Sequence, residues 1–216
     1  MNQDFNRELY IFGEDIETKL GLVSFLTYKE YLMNIDCLSM ISMNVLHIYY
    51  QYRKMFDEKD EEAMKAIEAL KNESLYNIVM QTDRFKRAYI KIFSIVLEKN
   101  SINDTWSEAL LNAVETSEKA TVPLSKALEL IFSNEELFNY YREMVMDMQI
   151  LVESEVSSHP LIQEGIEMSQ KVKSISGEKQ THTDIITSIV AATPNSFADV
   201  CNMTVYQVYA LFYRIG

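Results

Sequence analysis

The chain has 216 residues, 48% of them apolar, and carries 20 Lys and Arg against 32 Asp and Glu, a formal charge of −12. That length supports a sizeable core, and that charge opposes broad contact with phosphate backbones, so nucleic acid is not an expected partner. Two cysteines with apolar neighbours, a polar and acidic N-terminus unlike a signal peptide, and the lack of an apolar run of about twenty residues predict a reduced cytoplasmic protein without a membrane span.

Helical periodicity fails first at residues 8–26. Leu9-Tyr-Ile-Phe and Leu22-Val-Ser-Phe-Leu are rich in β-formers, Gly13 and Gly21 lie beside them, and a small hairpin is predicted. Thr27 and Glu30 then have the spacing of a capping box. Tyr31, Ile35, Leu38, Ile41, Val45, Ile48, Tyr49 and Tyr52 follow at steps of three or four, the pattern of one long core helix bent near Asn34. The acidic run Asp57 to Glu62 ends it, and Met64, Ile67, Ala69 and Leu70 mark a shorter amphipathic helix. Leu75 to Leu97 predicts a helix pair, with Asp83 suited to cap the second member. Arg84, Lys86, Arg87 and Lys91 on that helix form the locally basic run of the chain, which reads as a small basic patch or, equally well, as a solvated helix face.

After a polar turn at 98–104, Thr105 with Glu108 predicts another capped helix through Ala109, Leu110 and Val114, and residues 115–122 read as a linker ahead of Pro123. Ser133 with Glu136 predicts the start of a helix carrying Leu137, Tyr140, Tyr141, Met144, Met148 and Leu151, and Ser158 with Pro160 opens one more that reaches about Val172. The expected fold is mainly α, a multi-helix bundle with a small N-terminal β-hairpin. Its segments are an N-terminal hairpin arm (1–26), a helical core (27–120) and a C-terminal helical subdomain (121–216).

The last 36 residues read as short capped helices: Thr181 with Asp184, Ser196 with Asp199, and Thr204 with Gln207 each place a hydroxyl three residues before an acceptor. The final helix carries Val205, Val208, Tyr209 and Phe212 on one stripe, while Tyr206, Leu211 and Tyr213 widen the apolar surface around its sides. The commoner fate of such a stripe is burial on the chain's own core. Its width makes Met203, Tyr206, Tyr209, Phe212 and Tyr213 candidate partner-binding residues.

Chemistry is harder to find. His47, His159 and His182 are scattered, without the spacing of a metal site, and Pro160 interrupts any helix that would align Glu155 with His159. Neither a glycine-rich phosphate loop nor a serine nucleophile elbow occurs, and the pairs Glu61-Glu62 and Glu135-Glu136 diverge on a helix rather than converge in a cleft. The expectation is a non-enzymatic protein with no cofactor and no metal, in which Cys37 and Cys201 are reduced structural thiols.

Asp184-Ile-Ile-Thr-Ser-Ile, followed by Asp199, Val200, Met203, Thr204, Val205 and Gln207, resembles the ending of bacteriophage tail assembly chaperones, where a short helix precedes an aromatic one. The run from Thr18 to Tyr31 is similar to the opening of small proteins encoded by phages of Gram-positive hosts. The resemblance implies a cytoplasmic chaperone or adaptor that shields the apolar tape-measure protein, recruits tail-tube subunits and self-associates. Met33, Met40, Met43, Met144, Met146 and Met148 suit variable apolar partners, with core filling as the first use of such side chains. A structural protein retained in the virion is the alternative reading, and an enzyme with a site assembled inside the bundle is a third.

Overall fold

A computed structural model of the chain describes residues 7–57, 59–98, 122–153 and 181–215, together with 156–157, 162–163, 166 and 168. The described residues are mainly helical, with a two-stranded antiparallel hairpin near the N-terminus, as the periodicity predicts. Strands β1 (Ile16–Thr18) and β2 (Gly21–Val23) pair with Ile16 opposite Val23. Thr18 stabilises the turn by donating to the carbonyl of Gly21, and its hydroxyl meets the Tyr141 phenol at 2.8 Å. The first β-prone run is a 3-10 helix (Arg7–Phe12) instead. Tyr10 is drawn inward, edge-on to Phe25 at 5.2 Å and to Tyr206 at 5.9 Å, and this tertiary packing overrides strand propensity.

The long helix expected after Thr27 is broken twice, into α1 (Tyr28–Met33), α2 (Ile35–Ile41) and α3 (Val45–Met55). At the first break the Asn34 amide donates back to the Glu30 carbonyl at 2.7 Å, taking up an acceptor at the end of α1. At the second, Asn44 caps α3 by accepting from the His47 N–H, while the buried Arg142 collects carbonyls that the break frees. Its Nε donates to Ile41 at 3.0 Å and its terminal nitrogen to Met43 at 3.2 Å, with Glu153 completing the pair at 2.7 Å. Apolar spacing gives no sign of this break, because the side chain that satisfies it arrives 101 residues later.

Asp60 caps α4 (Glu61–Ala69), and Thr82 separates α5 (Leu75–Gln81) from α6 (Asp83–Glu98), the predicted helix pair. Pro123 directly precedes α7 (Leu124–Ser133). The next helix, α8 (Glu135–Met148), starts one residue later than Ser133 implied. Asn134 adopts the extended conformation and accepts from the Leu137 N–H at 3.0 Å, while the Ser133 hydroxyl turns back to Leu130. At its far end Ile150 has φ 54°, and its N–H and that of Leu151 return to the carbonyls of Asp147 and Met146. This is the left-handed helix ending that glycine ordinarily serves. The predicted Thr105 cap, the 115–122 linker apart from Val122, the division drawn at 120, and most of the helix from Ser158 to Val172 lie outside the described residues.

Among the described residues two apolar clusters form. The larger joins the hairpin to α2, α5, α6, α7 and α8, with Tyr89, Phe93, Phe138 and Tyr141 wholly buried and Tyr89 and Phe138 only 4.9 Å apart between ring centres. The smaller joins α9 (His182–Ala192), α10 (Phe197–Asn202) and α11 (Val205–Ile215) to Tyr28 of α1. Among the described residues no helix is long and apolar enough to cross a membrane.

Candidate partner-binding surface

The C-terminal helices start as their sequences predict. Thr181 and Ser196 each accept from the third residue of their helix, whose carboxylate accepts in return from the cap's backbone N–H and hydroxyl. These bonds hold Asp184 and Asp199 below the ordinary aspartate value, the backbone N–H leading for Asp184 and the Ser196 hydroxyl for Asp199. At α11 the Thr204 N–H donates to Gln207 Oε1 at 2.9 Å and the Gln207 N–H to Thr204 Oγ1 at 3.2 Å.

That last cap also fastens α11 to the N-terminal region. Thr27 and Thr204 form a single antiparallel bridge, the Tyr28 N–H donates to the Met203 carbonyl at 2.7 Å, and Gln207 Nε2 reaches the Ile11 carbonyl at 2.9 Å. Gly13, at φ 66°, lets the arm turn and approach here: a Cβ at that position would stand 3.0 Å from Thr204 Cγ2. Two helix starts, those of α1 and α11, are thereby tied back to back.

From this fixed root the candidate side chains take different directions. Val205 and Val208 enter the smaller core with Ile185, Ile189 and Val200. Tyr206 faces the larger core beside Tyr10. Met203, Tyr209 and Phe212 are half-buried against the smaller cluster, whereas Tyr213 is 77% exposed. Tyr209 stacks on Tyr213 at 6.3 Å between ring centres, and Phe212 meets the same ring edge-on at 6.1 Å. Three of the five candidates, Tyr209, Phe212 and Tyr213, thus converge at the outer end of α11, while Tyr206 and Met203 serve its attachment.

Beneath this end lies a grouping invisible in the sequence. The Tyr28 hydroxyl meets His182 Nδ1 at 2.7 Å, and Tyr31 lies parallel to Tyr28 at 6.1 Å. Tyr28 and His182 are separated by 154 residues, so no local spacing announces them. Burial, reinforced by neighbouring phenols, pushes Tyr28, Tyr31 and Tyr209 above the ordinary tyrosine range, so all three are neutral at physiological pH. Neutral phenols offer rings and single hydrogen bonds, the equipment of a recognition surface. Elsewhere, His47 sits on α3 against Gln51 at 2.9 Å, its proton affinity lowered first by burial and then by Lys54. Both cysteines are free and half-buried, and no grouping among the described residues has three potential metal ligands. Met144, Met146 and Met148 fill the larger core, Met40 and Met43 lie half-buried on it, and Met33 is exposed.

The YomV N-terminal domain family matches residues 4–114 of the chain, just over half its length, and the chain belongs to that family. It is also 27% identical over 211 residues to the SPbeta prophage-derived uncharacterized protein YomV of Bacillus subtilis (strain 168), a match covering 97% of this chain and 77% of that protein. No solved structure matches the chain.

Proposed function

We propose that this member of the YomV N-terminal domain family is a phage-encoded, non-enzymatic binding protein whose last helix presents an aromatic face to an apolar helical partner during virion assembly. The tape-measure protein is the partner that the tail-chaperone resemblance implies, with tail-tube subunits as a second contact and the host cytoplasm as the place of action. The prophage origin of the Bacillus relative supports the phage setting.

The observation that carries the reading is Tyr213. A large ring left 77% in solvent is held against Tyr209 and Phe212, on a helix whose root is clamped to the chain's own N-terminal arm. Pre-organised aromatic rings lose little rotamer freedom on binding, which is why such side chains act as interface anchors. Co-expression with the tape-measure protein of the same phage tests it. The expected result is a soluble complex that Tyr213→Ala weakens by about 2 kcal/mol or more, as loss of an aromatic anchor does, with the melting temperature unchanged. A complex indifferent to that variant, or no complex, contradicts the proposal. Recovery of the protein from purified particles would favour the structural-virion reading instead.

A further inference from the structure

The basic run on α6 is not an evenly solvated face. Arg84, Arg87 and Lys91 recur at steps of three and four residues, so they form one stripe about 10 Å long on a single side of the helix. All three are exposed, and none makes an ion pair with a described residue. They line an open groove floored by Cys37 and Met40 of α2 and by Ala88 of α6, with Asp83 at its end. On a chain of net charge −12, cations without an ion pair to any described residue, gathered beside an apolar floor, favour an occupant with an apolar edge and carboxylates. Bare phosphate would leave that floor unused.

The same molecule displays a segment of that composition. At the end of α3, Met55 is 75% and Phe56 45% exposed, the Phe56 ring stacked on Tyr52. Directly after them come the exposed carboxylates of Asp57, Asp60, Glu61 and Glu62, with Lys59 among them and Lys54 and Lys65 exposed on either side. Asp57 and Asp60 use one oxygen each on local backbone N–H groups, and Glu61 and Glu62 point from the first turn of α4 without an ion pair to any described residue.

We propose that a second copy of this chain seats its α3–α4 corner in the α2–α6 groove, with Met55 and Phe56 over Cys37, Met40 and Ala88, and Glu61 and Glu62 on Arg87 and Lys91. The donor corner and acceptor groove are different patches, so the contact either closes reciprocally into a two-fold dimer or repeats head-to-tail into rings or chains. It is independent of the aromatic end of α11.

Sedimentation velocity on the full chain tests it by charge reversal. R87E/K91E and E61K/E62K, each alone, should weaken self-association at least about tenfold, since like charges then face each other across the contact. An equimolar mixture of the two variants should restore it, each reversed groove accepting a reversed corner. Raising salt should weaken the unmodified protein's association. Tyr213→Ala should leave all of this unchanged, which separates failure here from failure of the C-terminal surface. An unmodified protein that stays monomeric, or reversals that weaken association without recovery on mixing, overturns the proposal. Retention of an acidic oligonucleotide by the groove with no change in chain stoichiometry also overturns it.

Discussion

Helix α11 has a more apolar sequence than α8, yet it is the less buried of the two. Of α8, Phe138, Tyr141, Arg142, Met144, Val145, Met146 and Met148 are buried, and α5, α7 and the hairpin close around it. Of α11 only Val205 and Val208 are buried, because α1, α9 and the N-terminal arm cover one side and leave the outer end open. Apolar content therefore does not set burial. The number of neighbours does, and a wide stripe with few neighbours leaves rings in solvent.

The contrast is broken most strongly by emptying the enclosed helix. Phe138→Ala should cost about 3–5 kcal/mol, read as a large fall in denaturation midpoint, because four aromatic rings surround that side chain and cannot all collapse into the void. Arg142→Met should cost about 2 kcal/mol by the same measurement, since it removes Arg142 as a donor to the Ile41 and Met43 carbonyls, leaving Ile41 only the longer 3.4 Å bond from Tyr89, and unpairs the half-exposed Glu153. Arg142→Lys should recover only part of that, as an ammonium lacks the planar fork.

A smaller effect has the opposite sign. Ile150 is a β-branched residue at φ 54° and 42% exposed, so Ile150→Gly should raise stability by about 1 kcal/mol, relief of the left-handed conformation outweighing the added freedom of the unfolded chain. A midpoint that falls would show that the side chain's packing matters more than its backbone angle.

Acid acts on α9 and α10 through their caps. Asp184 and Asp199 are held below 3.8 in the folded chain by hydrogen bonds to Thr181 and Ser196. Their contribution is full above the unfolded value and is lost as pH falls from there through the lower folded value. Amide exchange should accordingly show α9 and α10 losing protection below about pH 4, while α6 and α8, whose buried rings do not titrate there, keep theirs. Simultaneous loss throughout would contradict the division into two clusters.

What was legible in the sequence was local. Caps at Thr27, Thr181, Ser196 and Thr204 need only a hydroxyl and an acceptor three residues on, and all four are observed. The hairpin was legible as a region, but Leu9 to Phe12 form a 3-10 helix rather than a strand, because the destination of Tyr10 is set by Tyr206 at the other end of the chain. The breaks flanking α2 were half legible: Asn34 marks the first, whereas the second depends on Arg142. At the candidate surface, periodicity found the aromatic residues of α11 but not their division of labour. That division depends on the Thr27–Thr204 bridge and the Gln207–Ile11 bond, contacts that join distant segments. The Tyr28–His182 pair escaped for the same reason.

Helix α11 is held by Val205 and Val208, and under the proposed function it recognises its partner through Tyr213 and the two rings against it. Thermal melts run beside a binding assay on Val208→Ala and Tyr213→Ala test it most directly. Val208→Ala should cost about 2 kcal/mol of stability, in keeping with a small cavity in a small core. Tyr213→Ala should shift stability by no more than about 0.5 kcal/mol yet abolish most of the binding. A Tyr213→Ala protein that melts early and binds normally would contradict the account, since that ring would then belong to the core.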